Sequence, residues 1–192
     1  MLKYIILGII QGVTEFLPVS SSGHLVIAEK LLGINEHLVA VSVILHLGTS
    51  LALVIFFFRD ILNLLRNLRL LSYIIIVTLI TGIIGLSGKD FFERLFASPK
   101  LVAAALIITG IILLLTKKFM QAKRNTLNLK DALVLGLTQG FAIIPGISRS
   151  GMTISTLLFR GLDREVSFRF AFLASIPAVF GAAILEAKNI GL

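Results

Sequence analysis

The sequence contains no cysteine and no tryptophan, and only 15% of its 192 residues are charged. Without cysteine, neither a disulfide framework nor a thiolate metal site can form. Soluble domains carry about 25% charged residues, so a soluble chain of this composition would expose large apolar patches and aggregate. Hydrophobic residues make up 57% of the chain. The composition therefore predicts an integral membrane protein whose apolar exterior faces lipid.

Basic residues are concentrated in short segments between apolar runs, and the formal net charge is +8. This placement is typical of the cytoplasmic loops of membrane proteins. We therefore expect membrane lipid around the chain and no nucleic-acid partner. The first apolar run is not followed by a small-residue cleavage site, so we do not interpret it as a signal peptide.

Four apolar runs are long enough, or nearly so, to cross a hydrocarbon core as helices, which takes about 20 residues. They are His37 to Phe58, Leu70 to Gly88, Leu101 to Thr116 and Val166 to Leu185. Two further stretches, Leu2 to Leu32 and Ala132 to Phe159, are interrupted by proline, serine and glycine. Their halves are too short to span, and irregular backbone at membrane depth is tolerated only beside protein or a wet cavity. We therefore look for a polar site at these two turns.

The two interrupted stretches resemble each other at an offset of 128 residues. Residues 7–12 (LGIIQG) align with 135–140 (LGLTQG), and residues 20–23 (SSSG) align with 148–151 (SRSG). Three spanning runs lie between the copies, so the second copy is inverted relative to the first. Broken helices in inverted repeats form polar sites near the midplane. The predicted fold class is an all-α integral membrane protein with an inverted-topology repeat, two re-entrant helical hairpins and about four spanning helices.

We interpret residues 1–192 as a single membrane domain, with repeat 1 over about 1–58, linking helices over about 59–128 and repeat 2 over about 129–187. The segment 59–69 holds three arginines and one aspartate, and 117–130 holds five basic residues and no acid. The segment 89–100 is nearly balanced in charge. The excess of Lys and Arg predicts that the first two segments are cytoplasmic. The first hairpin then enters the membrane from outside and the second from inside.

The first turn carries a carboxylate, three serines and an imidazole. Gln11 and Glu15 are four residues apart and share one face of a helix. The serines at 20–22 follow, and we expect a new helix from His24 to about Leu32. A serine-rich turn that opens a helix presents free backbone N–H groups and hydroxyls, which suits an anion.

The second turn places Arg149 between Ser148 and Ser150. An arginine holds two phosphate oxygens through its planar fork, which a lysine does not. Together the two turns suit a phosphate ester or diphosphate, with Arg149 and backbone N–H groups balancing the charge on phosphoryl oxygens. Either Ser21 or a water would attack. Either Glu15 or His24 would move the proton, or Glu15 would hold a divalent cation.

Other polar residues are assigned structural roles. We interpret His46, which lies mid-span among apolar residues, as a packing histidine, and His37 as interfacial. Arg160, Arg164 and Arg169 are expected to anchor the cytoplasmic side.

A different function remains open, since inverted repeats with broken helices also build transporters. A transporter or lipid flippase for the same or a related anionic substrate is the alternative. The combination of Glu15, His24 and Arg149 with several hydroxyls favours an enzyme. A purely structural subunit leaves these groups unexplained, because ionisable residues within the membrane are costly.

At both turns the chain resembles the undecaprenyl-diphosphate phosphatase family, also called bacitracin-resistance proteins. Residues Gln11 to His24 and Pro145 to Thr153 carry the resemblance, which extends over essentially the whole chain. It implies hydrolysis of a polyprenyl (undecaprenyl) diphosphate to the monophosphate and inorganic phosphate, which recycles the lipid carrier for cell-wall synthesis. It also implies a divalent cation (Mg²⁺ or Ca²⁺, with Glu15 as candidate ligand) and a cell-membrane location with a site open to the extracytoplasmic side. Separately, a homodimer is a possible assembly.

The family's functional positions carry over to individual residues of this chain. The resemblance implies catalytic roles for Glu15, Ser21, His24 and Arg149, and substrate-binding roles for Gln11, Ser20, Ser148, Ser150 and Thr153. Gln11 stands where the family has either glutamate or glutamine, which leaves Glu15 as the only carboxylate at this turn. Relatives typically continue with further membrane helices past the position of Leu192.

Overall fold

The computed structural model describes residues 1–34, 38–96, 98–121 and 123–189, so the expected interfacial position of His37 lies outside the described residues. Within these ranges the chain is helical, and pairing of β type is limited to an isolated bridge between Arg124 and Leu162. The helices are α1 (Leu2–Thr14), α2 (Ser21–Leu31), α3 (Leu38–Phe56), α4 (Phe58–Arg66), α5 (Leu68–Ser87), α6 (Lys89–Phe96), α7 (Pro99–Thr116), α8 (Leu129–Phe141), α9 (Arg149–Phe159) and α10 (Arg164–Asn189), with a 3-10 turn at Lys117–Phe119.

The predicted spanning helices are present. By length and composition, Leu68–Ser87, Pro99–Phe119 and Arg164–Leu185 are able to cross a membrane. A fourth candidate joins Ala40–Phe56 to Phe58–Arg66 through a bend of 72°. Arg59 and Asp60 begin the second part of this pair, so the chain turns where its composition becomes charged. The prediction of a multi-pass, all-α membrane protein is confirmed.

The two interrupted stretches form the helical hairpins α1–α2 and α8–α9, whose arms return to the side from which they start. In the second hairpin, Asp131 in the first turn of α8 accepts a hydrogen bond from Arg160 at the end of α9. In the first, Lys3 Nζ lies 4.0 Å from where a Cβ on Gly33 would stand, so the start of α1 meets the end of α2.

The start predicted for α2 was wrong by three residues, because the helix begins at Ser21 rather than at His24. The Ser20 hydroxyl accepts a hydrogen bond from the Gly23 backbone N–H at 3.3 Å. This N-cap satisfies a free donor of the first turn and allows the helix to start earlier.

Each hairpin packs its first arm against a spanning helix through the same pair of residue types. The Gln11 amide donates to Thr49 on α3 at 3.2 Å, and the Gln139 amide donates to Thr81 on α5, also at 3.2 Å. Gln11 and Gln139 are equivalent positions of the repeat. The repeat is therefore present in the packing as well as in the sequence.

Both basic segments are tied to the ends of α9 and α10 by ion pairs. Asp131, which is fully buried, accepts two hydrogen bonds from Arg124, at 2.7 and 2.9 Å, and a third from Arg160. Arg169 at the start of α10 pairs with Asp60 on α4 at 2.9 Å. The segments 59–69 and 117–130, both predicted to be cytoplasmic, are thus connected through the ends of α9 and α10.

Candidate functional site

The two turns lie in direct contact. A Cβ added to Gly23 would stand 3.0 Å from Cα of Gly146, and a Cβ added to Gly151 would stand 3.0 Å from the carbonyl oxygen of Pro18. Only glycine permits backbones to approach this closely. Residues more than one hundred positions apart in sequence are thereby placed at one site.

Each turn is fixed by a serine that caps the following helix. Ser148 accepts a hydrogen bond from the Gly151 N–H at 3.0 Å, as Ser20 does from Gly23. Thr109 on α7 holds the second turn, because its hydroxyl donates to the Gly146 carbonyl at 2.8 Å and accepts from the Ser148 N–H at 3.0 Å. The N-termini of α2 and α9 consequently open beside each other, an arrangement that suits an anion.

Ser20 has the left-handed backbone conformation, with φ 69° and ψ 86°. For a residue other than glycine this costs about 1–3 kcal/mol and persists only where the surroundings hold it. The equivalent Ser148 has an ordinary φ of −71°. The strain is thus confined to the copy whose next residue is Ser21.

A hydrogen-bonded cluster joins three helices at the first turn. The Ser21 hydroxyl lies in short hydrogen-bond contact with Oε2 of Glu15 and 3.2 Å from Nε2 of His46. The same imidazole nitrogen is 3.3 Å from Glu15 Oε2. A serine hydroxyl, a carboxylate and an imidazole therefore meet at one point.

Neighbouring side chains hold this cluster in place. The Gln11 amide donates to Glu15 Oε2 at 2.9 Å, and Thr49 donates to the His46 carbonyl at 3.0 Å. The other ring nitrogen of His46, Nδ1, is 2.8 Å from the Ser42 carbonyl oxygen. Both ring nitrogens of His46 are thus oriented by defined partners.

A cavity of about 350 Å³ opens beside the cluster, and its lining combines polar residues of the two turns with apolar residues of the neighbouring helices. Arg149 lines it as well, and its Nη1 atom is buried without a hydrogen-bond partner among the described residues. An apolar part of the lining comes from α5, the second turn and α10. This apolar wall includes Gly82, Gly85, Ile143, Ile147, Ala178 and Leu185. The cavity therefore suits an amphipathic molecule with an anionic head.

The sequence-predicted residues divide into two groups. Those that line the cavity are Glu15, Ser20, Ser21, Ser148, Arg149 and Ser150. The others, Gln11, His24 and Thr153, are not among its lining residues. His24 Nδ1 lies 2.8 Å from the Ser20 carbonyl oxygen, and the Thr153 hydroxyl donates to the Arg149 carbonyl at 2.7 Å. The functional roles assigned to all nine stay predictions.

His46, interpreted from the sequence as a packing histidine, is buried, and its ring also lines the cavity and contacts Ser21 and Glu15. The sequence does contain a signal for it. Ser42, His46, Thr49 and Ser50 follow helical spacing on an otherwise apolar span, and all four are buried. At the offset of 128, repeat 2 has Phe, Ala, Pro and Ala at the positions of these four residues. The similarity between the repeats therefore does not point to His46.

The donor set does not form a protein-held cation site. Among the described residues, no group of three or more His, Cys, Asp or Glu side chains is placed to hold a metal ion. Glu15 is the carboxylate of the cluster with Ser21 and His46, and its Oε2 already accepts from Gln11 and Ser21. No reaction step is therefore assigned to a cation, and cation dependence stays a prediction.

Comparison with known proteins places the chain in a family. Residues 4–191 match the family model described as bacitracin resistance protein BacA. The undecaprenyl-diphosphatase of Halothermothrix orenii is 47% identical, over 97% of this chain and 74% of that protein. That of Carboxydothermus hydrogenoformans is 47% identical, over 96% and 72%. That of Methanosphaera stadtmanae is 40% identical, over 99% and 78%. A match over nearly the whole length confirms the predicted resemblance, and the chain belongs to the bacitracin resistance protein BacA family.

Proposed function

We propose that this chain is a membrane phosphatase that hydrolyses undecaprenyl diphosphate, or a related polyprenyl diphosphate, to the monophosphate and inorganic phosphate. The observation that carries the proposal is that Arg149, whose buried Nη1 atom has no hydrogen-bond partner among the described residues, lines one cavity together with the Glu15, Ser21 and His46 cluster and an apolar wall. Relatives 40–47% identical bear the name of this activity. None of these names describes a transporter, so hydrolysis is favoured over transport.

Binding would place the diphosphate across the two turns. The Arg149 fork and the open N-termini of α2 and α9 offer donors to phosphoryl oxygens, and such donors stabilise the charge that develops there in the transition state. The prenyl chain would lie along the apolar wall formed by α5 and α10. This orientation brings the terminal phosphate, rather than the lipid, to Ser21.

Ser21 is the attacking group in this proposal. Its oxygen would form a bond to the terminal phosphorus while the bond from that phosphorus to the lipid monophosphate breaks. Water would then attack the phosphoserine, release inorganic phosphate and restore the hydroxyl. Two features support the assignment: Ser21 is the cavity hydroxyl that contacts both a carboxylate and an imidazole, and it follows the strained Ser20. Its contacts with these proton acceptors prepare the hydroxyl for attack.

The location follows from the substrate and the fold. We place the chain in the cell membrane, with the face that carries the paired arginines in the cytoplasm and the first hairpin entering from outside. The cavity would then open toward the extracytoplasmic side. A homodimer stays part of the proposal, and light scattering of the detergent-solubilised protein would test it.

A divalent cation, Mg²⁺ or Ca²⁺, is retained as a proposal, with the diphosphate itself as the main source of ligands. Mg²⁺ is commonly bound through substrate phosphates with few protein ligands. Phosphate release after chelation, followed by titration with either ion, would test the dependence.

The decisive experiment is phosphate release by the purified protein from a polyprenyl diphosphate in detergent or in vesicles. We expect turnover by the natural chain and loss of it in Ser21→Ala. Ser72→Ala, which changes an exposed serine of α5, is the matched control and should retain turnover. Full turnover in Ser21→Ala would remove Ser21 as the attacking group, and absence of turnover in the natural chain would overturn the function.

A further inference from the structure

We propose that His46 is the general base and acid of the reaction, and that Glu15 stabilises its protonated form. The inference rests on the proposed phosphatase function and on Ser21 as the attacking group. His46 belongs to α3, outside both turns, and it reaches the site because α3 packs against α1 and α2. It touches the reacting oxygen directly, at 3.2 Å from Ser21 Oγ.

The partners of the imidazole determine which nitrogen carries the proton. Nδ1 faces the Ser42 carbonyl oxygen at 2.8 Å, and a carbonyl oxygen only accepts. Nδ1 therefore carries a hydrogen, and in the neutral ring the lone pair is on Nε2. That lone pair lies 3.2 Å from Ser21 Oγ. The single Ser21 hydrogen, which is donated to Glu15 Oε2 in the structure, therefore reaches Nε2 by rotation of the hydroxyl, and His46 is within reach to act as a base.

Glu15 is less suited to take the proton itself. Its Oε2 accepts hydrogen bonds from Gln11 and Ser21, and donors directed at a carboxylate favour its charged form. Arg149 lines the same cavity as this carboxylate and carries the opposite charge. Glu15 therefore remains an anion 3.3 Å from Nε2, where it stabilises the imidazolium formed when His46 accepts a proton.

Charged groups of both signs lie around His46. From α1 it faces Glu15, from α2 Ser21, and from its own helix Ser42. Arg149, Lys89 and Glu93 line the same cavity from α9 and α6. Glu15 is the charged group in direct contact with the ring, so it is the one placed to stabilise the imidazolium formed during the reaction.

The proton steps balance over the cycle. In the first, His46 takes the Ser21 proton as the oxygen attacks phosphorus, and then gives it to the departing phosphate oxygen of the lipid. In the second, neutral His46 takes a proton from the attacking water and gives it to Ser21 Oγ as the bond from phosphorus to serine breaks. The net reaction consumes one diphosphate and one water, and it yields the lipid monophosphate and inorganic phosphate.

The test compares His46→Gln, His46→Ala and the natural chain in phosphate release. We expect both substitutions to slow turnover by about 100-fold or more, since a positioned base contributes about that factor at minimum. Added imidazole should restore part of the activity of His46→Ala but not of His46→Gln, whose side chain fills the space. Ser50→Ala, which removes another buried hydroxyl of α3 outside the cavity, is the matched control for helix packing and should retain turnover.

A second readout separates this inference from the proposed function. The rate at which a fluorophosphonate labels Ser21, followed by mass spectrometry, reports activation of the hydroxyl without any lipid substrate. Slower labelling in His46→Gln supports the inference even if the natural chain hydrolyses no polyprenyl diphosphate, in which case the proposed function fails alone. Turnover and labelling that are unchanged in His46→Gln would overturn the role of His46.

Discussion

Arg149 presents a buried, unpartnered guanidinium nitrogen to the cavity, so its contribution depends on geometry as well as charge. Arg149→Lys keeps the charge and removes the fork that holds two oxygens. We expect phosphate release to fall about 100- to 1000-fold, the usual loss when a contact to a developing oxyanion is removed. Steady-state kinetics measure this effect. A lysine variant with natural kcat/KM would show that Arg149 acts as a point charge only.

Glu15 is expected to act in the reaction more than in binding. Glu15→Gln keeps the size of the side chain and removes the charge that faces His46 at 3.3 Å. Turnover should fall sharply while affinity for the lipid diphosphate, measured by equilibrium binding, changes little. If turnover were retained across a range of Mg²⁺ and Ca²⁺ concentrations, Glu15 would be a structural residue.

Sequence reasoning located the residues of the two turns, because a carboxylate, an arginine and clustered serines are expensive inside an apolar stretch. It did not separate residues that line the cavity from those that support it. His24 follows the serines in sequence, yet the helical rotation after Ser20 directs its ring to a backbone carbonyl. His46 is distant in sequence and reaches Ser21 only through the packing of α3.

At the scale of elements, the contact between the turns depends on glycine. A Cβ on Gly23 would stand 2.9 Å from Leu106 Cδ2 and 3.0 Å from Gly146 Cα, so Gly23→Ala should force the turns apart. We expect a loss of about 1–3 kcal/mol in stability, as for other overpacked sites, together with lower turnover. Thermal unfolding in detergent measures the loss of stability.

Gly12→Ala is the matched control, because a Cβ at Gly12 meets nothing within 4 Å. Alanine is the better helix former, so this variant should be as stable as the natural chain or more so. Equal loss of stability in both variants would mean that the effect at Gly23 is not one of close approach.

The ion pairs at the open end of the second hairpin predict a pH dependence. Burial acts to raise the pKa of Asp131, but hydrogen bonds from Arg124, the Asn128 backbone and Arg160 outweigh it and hold that pKa below its ordinary value. A lowered pKa in the folded state contributes stability above the unfolded-state pKa of about 4, and this contribution is lost as pH falls through the folded-state pKa.

Asp131→Asn removes this contribution and leaves two arginines without their partner. We expect a loss of about 1–3 kcal/mol at neutral pH, since both guanidinium groups are partly exposed and water replaces part of the interaction. The difference in unfolding temperature between variant and natural chain should shrink as the pH is lowered below about 4. A difference that does not change with pH would exclude the charge of Asp131 as its cause.

The spanning helices were predictable because apolar length and flanking charges define them. The short helices α4 and α6 were not specified, since segments 59–69 and 89–100 were interpreted only by their charge. The bend between α3 and α4 depends on where the chain leaves the apolar region, which composition locates to within a few residues. The start of α2 depended on a single cap, which is a local contact that periodicity does not reveal.

For the whole molecule, the orientation in the membrane is the main prediction. The chain has no cysteine, so single cysteines at Arg66, Lys118 and Lys100 can be labelled individually. A membrane-impermeant thiol reagent added to intact cells should label position 100 and leave positions 66 and 118 unlabelled until the cells are opened. The reverse pattern would invert the orientation and place the first hairpin on the cytoplasmic side.

The contact between the two turns has a further consequence for how the repeat can be used. Two separate, identical halves joined about a two-fold axis would have to present the same residues to each other, so that a carboxylate in one turn would meet a carboxylate in the other. Here Glu15 corresponds to Ile143 and Ser21 corresponds to Arg149 under the offset of 128. When the two halves belong to one chain, their sequences no longer have to be identical. A single chain can therefore place a carboxylate in one copy and a guanidinium in the other, and so combine unlike charges between two similar halves.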